Sequence, residues 1–303
     1  MPSLESDALR VHFQSMSDRL AANPSMDLPA LRGMLEELHV QAAEPTGVTY
    51  EEVEAGGRPA MLCSPQGADT DRVVLYFHGG GFVSNSMHSH RKLAAHLAKA
   101  TGCAALVPDY RLAPEHPFPT QIEDAAAAYR WLLDRGFGHD HIAFAGDSAG
   151  GNLATALALK LRDDGAPLPA AIVGFSPWYD LESLEGTLDT NAATDAFVQR
   201  AVVQNMAALY LAGASPRHPL ANPLAADPTG LPPIYLAVGD HETLQDNAER
   251  FADLAKNAGV EVTLEISPGM QHVYPFMAGR APEADATIAE VAQWLRPRLG
   301  LKD

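Results

Sequence analysis

Basic residues are scarce in this chain. Its 21 lysines and arginines stand against 38 aspartates and glutamates, a net charge of −17. Nucleic acids and anionic membrane surfaces need basic patches to neutralise their phosphates, so neither is an expected partner. The same balance disfavours acidic substrates and favours small neutral ones. Cysteine is scarcer still. Cys63 and Cys103 cannot form a disulfide framework, and the run Cys103-Ala104-Ala105-Leu106-Val107 makes Cys103 a small buried hydrophobe. No apolar run approaches the roughly 18 residues of a membrane-spanning helix. The opening Met1-Pro2-Ser3-Leu4-Glu5-Ser6-Asp7 carries acids and no basic-then-apolar pattern. A secretory leader is therefore not expected, and the chain reads as reduced and cytoplasmic. Repeats, low-complexity tracts and interdomain linkers are missing as well. At 303 residues the expectation is one α/β domain with a sizeable core, acting as a monomer or a homodimer.

What is present begins with helical periodicity. Leu9, Phe13, Met16 and Leu20 recur at helical spacing, and Leu31, Met34, Leu35 and Leu38 repeat the pattern after Pro29. Neither helix can bury its stripe alone, so both must pack over something formed later. Val48, Tyr50 and Val53, then Gly56-Gly57 and the run 59–63, predict an antiparallel edge hairpin. From Val73 onward strands and helices alternate. Strands are expected at 73–77, 103–107, 142–145, 170–175, 233–238 and 261–266. Helices are expected at 89–101, 119–135, 149–163, 243–257 and 282–298. Such alternation gives a mostly parallel twisted sheet flanked by helices, with ligands beyond the carboxyl ends of the strands. One stretch breaks the rhythm: the connection between Phe175 and Pro233 is too long for a plain crossover. Within it Phe197, Val198, Ala201, Val202, Met206, Leu209 and Tyr210 form a stripe, and an insertion here would complete a lid with the N-terminal helices.

Two motifs carry the chemistry. Gly146-Asp147-Ser148-Ala149-Gly150 follows the apolar run 142–145 and fits Gly-x-Ser-x-Gly, a strand-to-helix turn that exposes a serine above a sheet. Ser148 is the expected nucleophile, and the competing reading is a helix N-cap. His78-Gly79-Gly80-Gly81 follows the run 73–77. Gly80 and Gly81, with Ala149, are expected to donate backbone N–H groups to an oxyanion hole. This stretch lacks the signature of a phosphate-cradling loop. The pair His88 and His90 has no acid or cysteine set beside it, so no metal site is assigned and no cofactor is required.

With Asp109-Tyr110-Arg111-Leu112-Ala113-Pro114-Glu115-His116-Pro117-Phe118-Pro119 between them, these motifs resemble the hormone-sensitive-lipase-like bacterial esterases of the α/β-hydrolase fold, over about Val73 to Leu299. The resemblance implies a helical cap: cap helices at 1–45, then a catalytic domain at 46–303 with a cap insertion at about 180–215. It places the catalytic histidine after the last strand, at His272 in Pro268-Gly269-Met270-Gln271-His272. The acid belongs to the loop Gly239-Asp240-His241-Glu242-Thr243-Leu244-Gln245-Asp246. Relatives commonly carry Asp-Pro-Leu-Arg-Asp there, and counting back from His272 without gaps selects Glu242. Asp240 stands second and Asp246 third. In the Tyr110–Pro119 stretch Arg111 and Glu115 are expected to pair, and Asp147 to brace the region beside Ser148. The implied activity is hydrolysis of a small neutral carboxylic ester with a short-to-medium acyl group. Lactone hydrolysis by the same triad is the alternative, followed by an amidase or a non-catalytic receptor on this fold.

Overall fold

A computed structural model describes residues 2–182 and 185–302. The chain opens with helices α1 (Leu4–Ala22) and α2 (Leu28–Leu35), then the hairpin β1 (Val48–Ala55) and β2 (Arg58–Pro65). The alternating part runs β3 (Asp69–Phe77), α3 (Met87–Thr101), β4 (Cys103–Pro108), α4 (Thr120–Asp134), β5 (Ile142–Asp147), α5 (Ala149–Asp163) and β6 (Ala171–Phe175). Helices α6 (Thr187–Thr190) and α7 (Arg200–Leu211) occupy the long connection. The chain then closes with β7 (Ile234–Gly239), α8 (Gln245–Asn257), β8 (Val262–Ser267) and α9 (Pro282–Arg298).

The eight strands form one sheet in the order β1-β2-β4-β3-β5-β6-β7-β8. The first two strands join antiparallel and the rest are parallel. This is the α/β-hydrolase fold. The apolar runs explain the central strands: Val73 to Phe77 and Ile142 to Ala145 are fully buried, because helices cover both faces. β3 starts at Asp69, four residues before its apolar run. The polar lead 69–72 is held by Asp69, which pairs with Cys103 in β4 and whose N–H donates to Gly102 O at 2.9 Å.

Chain direction creates the crevice. From β3 the chain moves to β4 on one side, and then to β5 on the other, so β3 and β5 are neighbours whose outgoing loops diverge. Ligands bind outside the carboxyl ends of strands at such a switch point. Above it lie the elements outside the alternation. Ser3 and Ser6 hydroxyls, and the Ser3 N–H, all donate to the Glu283 carboxylate at 2.6–2.7 Å, which docks α1 on α9. Leu9, Phe13 and Met16 are buried. Phe13 stacks on Phe197 with centroids 5.4 Å apart, and Ser17 Oγ donates to Ala196 O at 2.6 Å. The N-terminal helix thus touches the long connection. α7 begins only at Arg200: Phe197 and Val198 belong to the turn before it, and Ala201 is exposed. Ser183 and Leu184, inside the expected insertion, lie outside the described residues.

The expected Arg111–Glu115 pair does not form. The proline-rich loop turns Arg111 toward α4, where its guanidinium donates to the Asp124 carboxylate at 2.6 Å. Glu115 faces α2 instead and pairs with Arg32 at 2.7 Å.

Candidate active site

β5 hands its chain to α5 through a strained turn. Ser148 sits at φ 50°, ψ −120°, in a region that costs a non-glycine residue on the order of 1–3 kcal/mol. Its side chain makes no capping hydrogen bond, and an N-cap would be extended, so the capping reading fails here. The neighbours are glycine for steric reasons. A Cβ on Gly146 would lie 2.4 Å from the Gly150 backbone, and one on Gly150 only 1.9 Å from Phe77 O. The turn is also held from β6: Ser148 N–H donates to Phe175 O at 2.9 Å, and Ser148 O accepts from Trp178 N–H at 3.0 Å.

The glycine loop after β3 packs beside this turn. Its three glycines are required by different neighbours. A Cβ would strike the Asp147 carboxylate from Gly79, Ser84 O from Gly80 and the Met206 thioether from Gly81. Close packing of the loop by itself therefore excludes side chains at all three positions. Gly80 O accepts from Ser84 N–H at 3.1 Å and Ser84 Oγ at 2.8 Å. The N–H groups of Gly80, Gly81 and Ala149 have no protein acceptor among the described residues.

Beneath the loop lies a buried polar cluster. Asp147 accepts from Tyr76 Oη at 2.8 Å and lies 3.2 Å from His90 Nε2, which also meets Gly79 N–H at 3.3 Å. Burial opposes ionisation of Asp147, but His90 and the Tyr76 hydroxyl outweigh it and hold its pKa below 3.8. His90 is thus committed to the loop, with Nδ1 at 2.9 Å from Ser89 Oγ. His78 stacks on Tyr110 at 4.1 Å, and its Nδ1 lies 2.8 Å from Gly79 O. Burial, with the neighbouring His90, pushes its pKa down to about 3, so it is a neutral brace.

The loops after β7 and β8 bring Glu242 and His272 together, with Nδ1 to Oε1 at 3.4 Å. Glu242 is fully buried, and its Oε2 accepts from Ser176 Oγ at 2.6 Å and Gly239 N–H at 3.1 Å. Ser176 Oγ in turn accepts from Val273 N–H at 2.9 Å, so one hydroxyl ties the acid to the histidine loop. Burial alone would lower the His272 pKa. The hydrogen bond and charge of Glu242, with Asp195 and Asp147 further off, reverse this and raise it above 6.5. Asp240 instead accepts from Gly269 N–H at 2.5 Å. Asp246 lies in the first turn of α8, accepting from Thr187 Oγ1 at 2.8 Å. Ser148 and His272 are not hydrogen-bonded to each other, but both line the same cavity.

That cavity measures about 60 Å³ and is walled by Phe13, Leu35, Phe197, Val202 and Met206 above Ser148. On this measure one water needs roughly 10–15 Å³, so the space admits a short chain of a few heavy atoms. Ser176 and Asp195 are the residues that sequence reasoning missed. A Ser-Pro pair after a strand reads as a turn, and Asp195 sits in an otherwise featureless polar stretch.

The profile of the alpha/beta hydrolase fold family matches residues 74–276. An acetyl-hydrolase of Streptomyces hygroscopicus is 44% identical over 229 residues, covering 76% of this chain and 77% of its own. An esterase of Acinetobacter venetianus is 33% identical over 244 residues, covering 78% and 80%. Among solved structures, an esterase from the bacterial hormone-sensitive lipase family superposes with a TM-score of 0.94 at 42% identity, over 99% of this chain and 100% of that one.

Proposed function

We propose, from the premise that this chain belongs to the α/β-hydrolase family and to its hormone-sensitive-lipase-like esterases, that it hydrolyses small carboxylic esters through an acyl-enzyme on Ser148. The observation that carries this reading is the shared cavity. Ser148 on its strained turn and His272 on its buried acid open into one small apolar space.

In this mechanism Ser148 Oγ attacks the ester carbonyl carbon while His272 Nε2 takes the hydroxyl proton. Glu242 holds Nδ1–H toward itself and stabilises the imidazolium. Negative charge develops on the carbonyl oxygen, and the N–H groups of Gly80, Gly81 and Ala149 are the donors that receive it. The dipole of α5 adds to them at its N-terminus. The C–O bond then breaks, and His272 returns its proton to the departing alkoxide. Water repeats the sequence on the acyl-enzyme, releasing the acid and restoring Ser148. No cofactor enters this cycle. The cap formed by α1, α2 and the 187–211 segment supplies the acyl wall, and its dimensions favour short acyl groups. The acetyl-hydrolase relative is named for one such short group.

The test is a panel of aryl esters of increasing acyl length, run beside simple lactones and the matching amides. Turnover highest on the short esters and abolished by Ser148→Ala is the expected outcome. Amides or lactones turned over faster than every ester would reassign the substrate. Full ester turnover by Ser148→Ala would overturn the mechanism.

A further inference from the structure

Glu242 and His272 are followed and preceded, respectively, by residues that reach the same short turn of the cap. Thr243, next to the acid, donates its N–H to Asp195 Oδ2 at 2.8 Å, and its Oγ1 lies 2.8 Å from Val198 O. Gln271, next to the base, accepts from Ala196 N–H through Oε1 and donates to Thr194 O through Nε2, both at 2.9 Å. The other oxygen of Asp195 accepts from Phe197 N–H at 2.9 Å and Val198 N–H at 2.8 Å, which fixes the turn itself. Asn191, one helical turn earlier, adds Nδ2 bonds to Asp240 O and Glu242 O at 3.1 and 3.0 Å. Asp195 and Gln271 are both buried, at 4% exposure each. From the far side of the turn, Phe197 and Val198 face the cavity.

We propose that the 194–198 turn is a clamp that holds acid and base in register, with Asp195 and Gln271 as its positioning residues. The proposal rests on the reading of Glu242 and His272 as acid and base. Physically, the two catalytic loops leave different strands, and in the sheet only β7–β8 pairing relates them. Beyond the sheet they are joined directly through Ser176 Oγ and the Asp240–Gly269 bond, and the turn adds a further bridge on the side where substrate enters. An acyl group seated against Phe197 and Val198 therefore presses on the element that sets the His272 ring. Misplacement of a reacting group by about 1 Å costs on the order of 100-fold in rate, so a loose clamp has a large kinetic signature. The anionic groups facing His272 are Glu242, Asp195 and Asp147, and Asp195 is the one contributed by the cap.

The test uses the full chain with Asp195→Asn, Gln271→Leu and Gln271→Glu, on a short aryl ester. Turnover is expressed per site titrated with an organophosphonate, so unfolded protein does not count. Asp195→Asn sets an amide NH₂ against backbone N–H groups, and kcat should fall about 10–100-fold with KM nearly unchanged. Its acid limb in kcat/KM should move to lower pH, because one anion facing His272 is gone. Gln271→Leu should lower kcat without moving that limb. Gln271→Glu, which keeps the acceptor for Ala196 N–H and loses the donor, should recover part of the rate. A merely structural role predicts a lower Tm with kcat per titrated site and the acid limb unmoved, and that result overturns the clamp. Should Asp195→Asn fail to fold, the Gln271 pair decides alone. His272→Ala runs in parallel. If it loses turnover while the clamp variants do not, the clamp is wrong and the base stands. If it retains turnover, the assignment of the base fails and takes the clamp with it.

Discussion

Glu242 is held by three groups: His272 Nδ1, Ser176 Oγ and the Gly239 N–H. Replacing it leaves the histidine free to adopt the wrong tautomer, so Glu242→Gln should lower kcat by roughly 10⁴-fold with the fold intact. Asp246→Asn, in the first turn of α8, should change stability more than rate. The proposed base also sets a pH profile. In that role His272 acts only when neutral, and its pKa is raised above 6.5 despite burial, because Glu242 favours the charged ring. The acid limb of kcat/KM should therefore have its midpoint above pH 6.5, with activity lost as pH falls through it. A midpoint at or below 6.5 would contradict the arrangement. The place of Ser148 on a strand-to-helix turn was legible because its motif is local, and that of His272 after the last strand because position separates it from eleven other histidines. Ser176 was not. Its partners lie 66 and 97 residues away, a distance over which no spacing rule operates.

Among the elements, helix α2 has an unexpected hold on the glycine loop. Arg32 donates to Val83 O at 2.8 Å and Ala113 O at 2.9 Å, besides pairing with the half-exposed Glu115. The exposed ion pair adds little, whereas charged hydrogen bonds to carbonyls are worth about 1.5–3 kcal/mol. Arg32→Leu should cost about 2 kcal/mol in denaturant unfolding, and Glu115→Gln much less. The N-terminal end of helix α1 is tied down by one carboxylate. Burial opposes the Glu283 charge, but Ser6 and Ser3 outweigh it and hold the pKa at about 2, against an ordinary 4.5. A depressed carboxylate pKa gives stability that is complete above the unfolded value and lost as pH falls toward the folded one. Docking of α1 should thus weaken between about pH 4.5 and 2, and limited proteolysis should find the N-terminal helix in that window first. Protection unchanged down to pH 2 would count against it. The five helices that alternate with the strands were legible to within two residues because their apolar stripes are regular. The start of β3 was not, since of the polar residues 69–72 only Asp69 pairs with β4, across a register irregularity that ends at Val73. The start of α7 was not either, because Phe197 and Val198 continue the stripe by contact and not by helix.

At the scale of the whole molecule, the mostly parallel sheet was legible in the alternation of apolar runs, whereas its strand order and switch point, and the bridging of the 194–198 turn to the loops after β7 and β8, were not. That bridging rests on single polar atoms such as Asp195 Oδ2 and Gln271 Oε1. Removing roughly the first forty residues should take Phe13, Leu35 and Leu38 from the cavity wall. Activity on short esters should drop and the chain-length profile should broaden, and an unchanged profile in a folded truncation would place those helices outside substrate binding. The central claim, an acyl-enzyme on Ser148, is open to direct observation. Intact-mass spectrometry of the protein quenched during turnover of a slow-deacylating aryl ester should show one acyl group per chain, on the peptide containing Ser148. The same adduct should be missing in Ser148→Ala. An unmodified mass at steady state together with a Ser148→Ala variant that still turns over, or an acyl group on any other residue, would contradict the account.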